Sequence, residues 1–206
     1  MKLRRQLIAI ALLLGASITA LGSIPFEPAR RARLQLLRAR SFEQTSLTAL
    51  DRVYLDALTV LGEKNTCSGF FGGSGSVHVL SELVSKLRAA SCNDSRMGMR
   101  MSGPVTFLKS TENGISYRLF KDAELNTAGP FYKSKVFPAE PHVPHVGSFR
   151  PNTREARVLI LLHELAHLIR GRDGTWLIPD DGGNTRLSRF NTLTVEARCG
   201  QQIRAL

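Results

Sequence analysis

The sequence has 206 residues, 43% of them hydrophobic and 22% charged, with a formal net charge of +11 at neutral pH. A chain of this length and apolar content can bury one core, and more than two domains of ordinary size are excluded. No internal repeat or low-complexity tract is present. The excess positive charge favours anionic partners, although it carries no information about the fold.

The first 22 residues predict an export signal. A basic start with one lysine and two arginines precedes an apolar stretch over residues 7–22, and small residues at its end suit cleavage before Ser23. The alternative is an uncleaved membrane anchor, for which residues 7–22 are somewhat short. We therefore expect a mature exported protein in which residues 23–206 form a single domain.

An arginine-rich segment follows the predicted signal. From Arg30 to Arg40 the chain carries five arginines and no acidic residue. We interpret the segment as a solvated helix face or an N-terminal arm, and a binding site for an anionic surface is the alternative. No specific binding of nucleic acid is predicted from it.

Three cysteines, Cys67, Cys92 and Cys199, are an odd number for an exported protein, in which thiols tend to pair. We expect one disulfide and one remaining thiol. The sequence does not fix the pairing, although Cys67 with Cys199 would close the longer loop. Their wide spacing argues against a structural zinc site made of thiolates.

The N-terminal half predicts two helices and then a sheet. Apolar residues recur at helical spacing from Leu47 to Leu61, with a stop near Gly62, and again from Val77 to Leu87. Three stretches rich in β-branched and aromatic residues then follow between turn signals: VTFL at 105–108, ISYRLF at 115–120 and FYKSKVF at 131–137. They predict a small antiparallel or mixed sheet of three or four strands.

Two further helices are predicted in the C-terminal part. Asn152 can cap a helix and Glu155 can complete the capping box, so a helix should cover about 153–170 and end at Gly171. A turn-rich loop then leads to a last helix over about 188–198. The fold class expected from these elements is α+β, with a small sheet packed on the 153–170 helix.

The 153–170 helix carries the clearest chemical signal. Its sequence VLILLHELAHLIRG (158–171) is strongly apolar but contains His163, Glu164 and His167. Because burying ionisable groups is costly unless they are paired or bound to a metal, these side chains need a partner. Two histidines four residues apart lie on one face of a helix and can bind one Zn²⁺, with Glu164 beside them as general base for a metal-activated water. A polar core network is the alternative.

The His-Glu-x-x-His string resembles the motif of the zincin metallopeptidases. That resemblance implies a helix lying under a sheet whose edge strand pairs with a peptide substrate, one zinc ion per chain and Glu164 as the catalytic base. The longer stretch from His163 to Cys199, with IPDD and NTLTVEARC, is similar to a group of uncharacterised exported bacterial proteins of metallopeptidase type.

Several acids could supply the third metal ligand. Deuterolysin-like zincins use an aspartate after the motif, which favours Asp181 in a loop able to fold back over the helix. Thermolysin-like zincins use a glutamate on a following helix, which favours Glu196. Asp173, at the spacing that metzincins use but without their glycine, and Asp180 are the remaining candidates. We expect His163, His167 and Asp181 to be the metal ligands.

Three other residues are weaker candidates. His142 or His145 could polarise a substrate carbonyl, and Tyr132 could donate to an oxyanion, although an ordinary structural role is favoured for each. The sequence thus predicts an exported zinc-dependent metallopeptidase acting on a peptide or protein substrate. The alternatives are a non-hydrolytic zinc-binding protein of the same fold and a basic anion-binding module whose histidine helix is structural.

Overall fold

A computed structural model of the chain describes residues 47–89, 91–92, 98–110, 115–134 and 143–206. All of them fall within one compact unit, Leu47–Leu206. The predicted signal, the segment from Arg30 to Arg40 and His142 lie outside the described residues. Within the described ranges, no helix is long and apolar enough to cross a membrane.

The described part of the chain is a mixed α+β structure, as predicted, with five helices and a three-stranded sheet. The first two long helices confirm the N-terminal prediction, and a short helix that was not predicted lies between them. The helices are α1 Ala49–Gly62, α2 Thr66–Phe70, α3 Ser76–Ala89, α4 Arg154–Leu168 and α5 Thr185–Arg204.

The sheet contains β1 Ser91–Cys92, β2 Met99–Lys109 and β3 Ser116–Asn126 in the order β1-β3-β2. β1 runs parallel to β3 and β2 runs antiparallel to it. The strand predicted at 131–137 is wrong over its described part, 131–134, because the amide of Lys133 bonds back to Gly129 O in a turn. That turn fully buries Phe131 in the core.

Helix α4 lies at the centre of the core, where it contacts α1, α3, α5 and β3. Eleven of its residues are buried, and leucines on several sides of the helix are fully enclosed. A helix that is apolar on all sides is typical of such a central position. The same packing explains why the two histidines of α4 are buried.

Helix α4 begins one residue later than the capping box had predicted. Thr153 is the N-cap, with an extended backbone, and its hydroxyl accepts from the amide of Ala156. Asn152 instead adopts a left-handed backbone, φ 64°, and its side-chain oxygen accepts from Arg157. Since a capping residue needs extended geometry, Thr153 and not Asn152 can fill this role.

Helix α4 ends at Leu168, before the predicted stop at Gly171. Ile169 is extended and forms an antiparallel bridge with Tyr117 of β3, and Leu177 returns to donate to Ile169 O at 3.0 Å. Gly171 therefore lies in the turn of a short hairpin over residues 169–177. This hairpin reverses the chain toward α4.

Helix α5 is longer at both ends than the predicted 188–198. Its cap, Asn184, accepts from the amides of Arg186 and Leu187. Near the other end, Cys199 forms a disulfide with Cys67 of α2, across 132 residues of sequence. This bond confirms that one disulfide forms and selects the pairing that closes the longer loop.

Candidate metal centre

The two motif histidines converge on one point. His163 Nε2 and His167 Nε2 lie 3.1 Å apart, with the ring centroids separated by 4.8 Å. Both residues are buried, at 5% and 4% exposure. The four-residue spacing on α4 accounts for the edge-to-face contact of the rings, because such positions are neighbours on a helix surface.

Asp181 completes a group of three potential ligands. Its Oδ2 lies 3.3 Å from His163 Nε2, and its Oδ1 lies 3.7 Å from His167 Nε2. One donor atom from each of the three residues falls within 4.8 Å of the others. The 169–177 hairpin thus returns the chain far enough for the loop after it to reach the motif helix.

Asn191 fixes the loop that carries Asp181. This residue of α5 is fully buried, and its amide nitrogen donates both to Pro179 O at 2.8 Å and to Asp181 Oδ1. The uncharged amide of Asn191 therefore holds the Asp181 carboxylate in addition to its contacts with the histidines. Its position beside the histidines does not depend on contact with them alone.

The electrostatics of the group favour a cation. Burial raises the pKa of Asp181, but hydrogen bonds from His163, His167 and Ser188 outweigh it and hold that pKa well below its usual range. Burial raises the pKa of Glu164, and the two histidines only partly oppose this effect. For His163, burial lowers the pKa, but the hydrogen bond to Asp181 and the charges of Glu164 and Asp181 leave it raised. The carboxylates thus stabilise positive charge at His163.

The donor chemistry fits a divalent transition metal. Two imidazole nitrogens and one carboxylate oxygen are ligands that Zn²⁺ accepts, and Co²⁺ and Ni²⁺ accept the same set. Two imidazole nitrogens at 3.1 Å either share a hydrogen bond, with one of them protonated, or both direct their lone pairs at a metal ion.

A buried arginine supports the second histidine. Arg118 on β3, 6% exposed, donates through Nε to the backbone oxygen of His167 at 3.0 Å and pairs through both Nη atoms with Asp180. Asp180 Oδ1 lies 3.9 Å from His167 Nδ1. Asp180 is therefore a partner of Arg118 at the outer side of the site. Arg118 was not predicted as a site residue, because its only signal in the sequence is a cation between apolar residues of a predicted strand.

The other two acids are bound elsewhere. Asp173 accepts from the amide and hydroxyl of Thr175 in the hairpin turn, and these bonds lower its pKa. Glu196 accepts from the amide of Ser148 at 3.0 Å and from the Ser148 hydroxyl. Neither acid belongs to the group of ligand atoms formed by the histidines.

Neither Tyr132 nor His145 belongs to this group. Tyr132 packs edge-on against Phe131 and lines a cavity of about 300 Å³ whose other walls include Leu87 and Leu125. No member of the metal-ligand group lines that cavity. His145 is exposed on the loop before α4.

No protein-family model matches the chain, and no match is found among curated proteins or among solved structures.

Proposed function

We propose that the protein is an exported, zinc-dependent metallopeptidase of zincin type. The observation that carries this proposal is the convergence of His163 Nε2, His167 Nε2 and the Asp181 carboxylate, with Glu164 next to the first histidine on the same buried helix. Three protein ligands would leave a fourth position of a tetrahedral zinc ion to water, as in catalytic zinc sites. When bound, zinc would act as a Lewis acid and lower the pKa of that water.

Each protein group has a distinct part in the proposed reaction. His163, His167 and Asp181 hold the ion, and Asn191 and Arg118 keep the surrounding backbone and carboxylates in place. Glu164 accepts the proton of the attacking water and passes it to the leaving amine. Burial raises the pKa of Glu164, and a carboxyl group with a raised pKa exchanges protons more readily near neutral pH.

The sheet offers a place for an extended substrate. Among the described strands, β2 lies at the edge of the sheet and pairs only with β3. Addition of a strand to a sheet edge is a common mode of peptide binding, so the proposal places the substrate along the other side of β2. Phe107 on this strand is 65% exposed and stacks near Trp176 of the 169–177 hairpin. In the proposed zincin-like arrangement, a peptide pairs with β2 and crosses the metal site.

Export is part of the same proposal. The Cys67–Cys199 disulfide supports a location in an oxidising compartment, where such bonds persist. The predicted signal over residues 1–22 and cleavage before Ser23 would deliver the protein there. N-terminal sequencing of the protein recovered from the periplasm or medium tests this step, and a chain that retains Met1 would contradict it.

Metal content is the first test of the proposed function. The purified wild type should contain about one zinc per chain. His163→Ala and Asp181→Ala should lose the metal, whereas Glu196→Ala should keep it, because Glu196 is bound to Ser148. A wild type that binds no zinc under metal-replete conditions would overturn the proposal.

Catalysis is tested separately with Glu164→Gln. This variant keeps the shape of the side chain but cannot take a proton, so it should retain zinc and cleave a peptide library about 10²–10⁴-fold more slowly than the wild type. Chelation should abolish cleavage and added zinc should restore it. Stoichiometric zinc without cleavage of any library member would instead support the non-hydrolytic zinc-binding protein.

A further inference from the structure

A threonine on α5 contacts the side of His163 that faces away from the metal ligands. Thr192 Oγ1 lies 3.1 Å from His163 Nδ1, within hydrogen-bond distance. Thr192 was not predicted from the sequence, because 29 positions separate it from the histidine. The two side chains meet where α5 packs along α4.

The proton of the Thr192 hydroxyl has another acceptor. Thr192 Oγ1 donates to the backbone oxygen of Ser188, one turn earlier on α5, at 2.9 Å. A hydroxyl group has one proton and two lone pairs, so the oxygen remains an acceptor toward His163. In this arrangement His163 Nδ1 carries a proton and donates it to Thr192.

This bond decides which nitrogen of His163 faces the ligand group. With Nδ1 directed at Thr192, Nε2 points to Asp181 Oδ2 at 3.3 Å and to His167 Nε2 at 3.1 Å. His167 lacks an equivalent hydrogen bond, since its Nδ1 is buried without a hydrogen-bond partner among the described residues and Asp180 Oδ1 lies 3.9 Å away. Within the described residues, only the His163 ring is therefore oriented by a hydrogen bond at its Nδ1.

We propose that Thr192 is a positioning residue that holds the His163 ring and presents its Nε2 lone pair to the metal ion. The inference rests on the proposed metal site and adds a residue that does not touch the ion. Histidine ligands are commonly oriented through their second nitrogen, and losing that partner typically costs 10- to 100-fold in metal affinity.

The chain offers closely matched variants for a test. Thr192→Val keeps the β-branched shape and removes the hydroxyl, whereas Thr192→Ser keeps the hydroxyl. Thr194→Val is the control, because Thr194 lies on the same helix and its hydroxyl also donates one turn back, to Phe190 O at 3.0 Å, without contacting a histidine. Any effect of losing such a helix bond alone would appear in both valine variants.

The experiment is a Co²⁺ titration of the full protein, followed by visible absorption and by proton NMR of the loaded form. Thr192→Val should bind Co²⁺ about 10- to 100-fold more weakly. The exchangeable Nδ1 proton of His163 in the Co²⁺-loaded protein should exchange faster with solvent. Thr192→Ser should restore both properties, and Thr194→Val should match the wild type.

The outcomes separate the two proposals. If the wild type binds Co²⁺ but Thr192→Val keeps the wild-type affinity and proton exchange, the role of Thr192 is wrong and the metal site stands. If Thr194→Val weakens binding as much as Thr192→Val, the effect belongs to the helix and not to the histidine contact. If the wild type does not bind Co²⁺, the metal site itself is wrong, and the role of Thr192 falls with it.

Discussion

Asp181 and Glu196 were both predicted from the sequence as possible third metal ligands, and their surroundings in the structure are very different. Asp181 lies just before α5, beside the two histidines, and accepts from Asn191. Glu196 lies within α5, and its two oxygens accept from the amide and hydroxyl of Ser148. Both are largely shielded, with side chains 21% and 11% exposed.

The difference lies in what surrounds each carboxylate. The fixed donors of the 146–149 turn satisfy Glu196, so it anchors that turn to α5. Gly147 allows the backbone of this turn to approach the Glu196 carboxylate closely. A Cβ at this position, where φ is 58°, would collide with the carboxylate. The histidines beside Asp181 can offer lone pairs instead of protons, and a carboxylate next to such lone pairs can share a metal ion with them.

The C-terminal part of α5, with Glu196 and Cys199, is bound to other parts of the fold, whereas Asn191 lies beside the candidate metal ligands. If these parts have separate roles, removing the disulfide should lower stability without changing metal binding. Replacing both Cys67 and Cys199 with alanine removes a crosslink over 132 residues and should lower the free energy of unfolding by about 2–5 kcal/mol. Zinc content of the folded variant should stay at the wild-type level. Urea unfolding and metal analysis of the same sample measure both quantities.

The matched comparison for this prediction is the single variant Cys92→Ala. Cys92 lies on β1 and is not part of the Cys67–Cys199 bond. The stability of this variant should fall much less than that of the double variant. A double variant that stays folded but loses zinc would show that the two ends of α5 are coupled.

Local patterns in the sequence predicted the helices of the site but not their ends. The motif and the apolar residues around it placed α4 correctly. Its stop at Leu168 depends on Ile169 pairing with Tyr117, more than 50 positions earlier, and no local pattern contains that contact. Gly171 was a reasonable stop signal, but it serves the hairpin instead.

The candidate site was predictable to a similar extent. His163, Glu164 and His167 follow from one string of residues on one helix. Choosing between Asp181 and Glu196 required knowing that the hairpin reverses the chain and that Ser148 meets α5. Arg118 and Thr192 gave no usable signal, because each contacts a histidine only through tertiary packing.

A pair of charge-removing variants sharpens the contrast between the two acids. Glu196→Gln should keep zinc but lower the free energy of unfolding by about 1–3 kcal/mol, because an amide cannot accept both bonds from Ser148. Asp181→Asn should lose most zinc affinity and should also destabilise the metal-free protein, because the hydrogen bonds that hold the Asp181 pKa low favour its charged form. Unfolding with and without a chelator separates these effects. Zinc loss in Glu196→Gln and not in Asp181→Asn would reverse the assignment.

A third acid, Asp51, forms its contacts at the surface, and we expect its replacement to have the smallest effect on the free energy of unfolding. Hydrogen bonds from Thr48 and Arg88 hold its pKa below the ordinary 3.8. A lowered pKa in the folded state contributes stability above pH 3.8, and that contribution is lost as pH falls through the folded value. Asp51→Asn should therefore cost less than about 1 kcal/mol at neutral pH, and the difference should shrink below pH 4. Urea unfolding from pH 7 to pH 3 measures it. A difference that stays constant over this range would mean that packing, and not the charge, stabilises the start of α1.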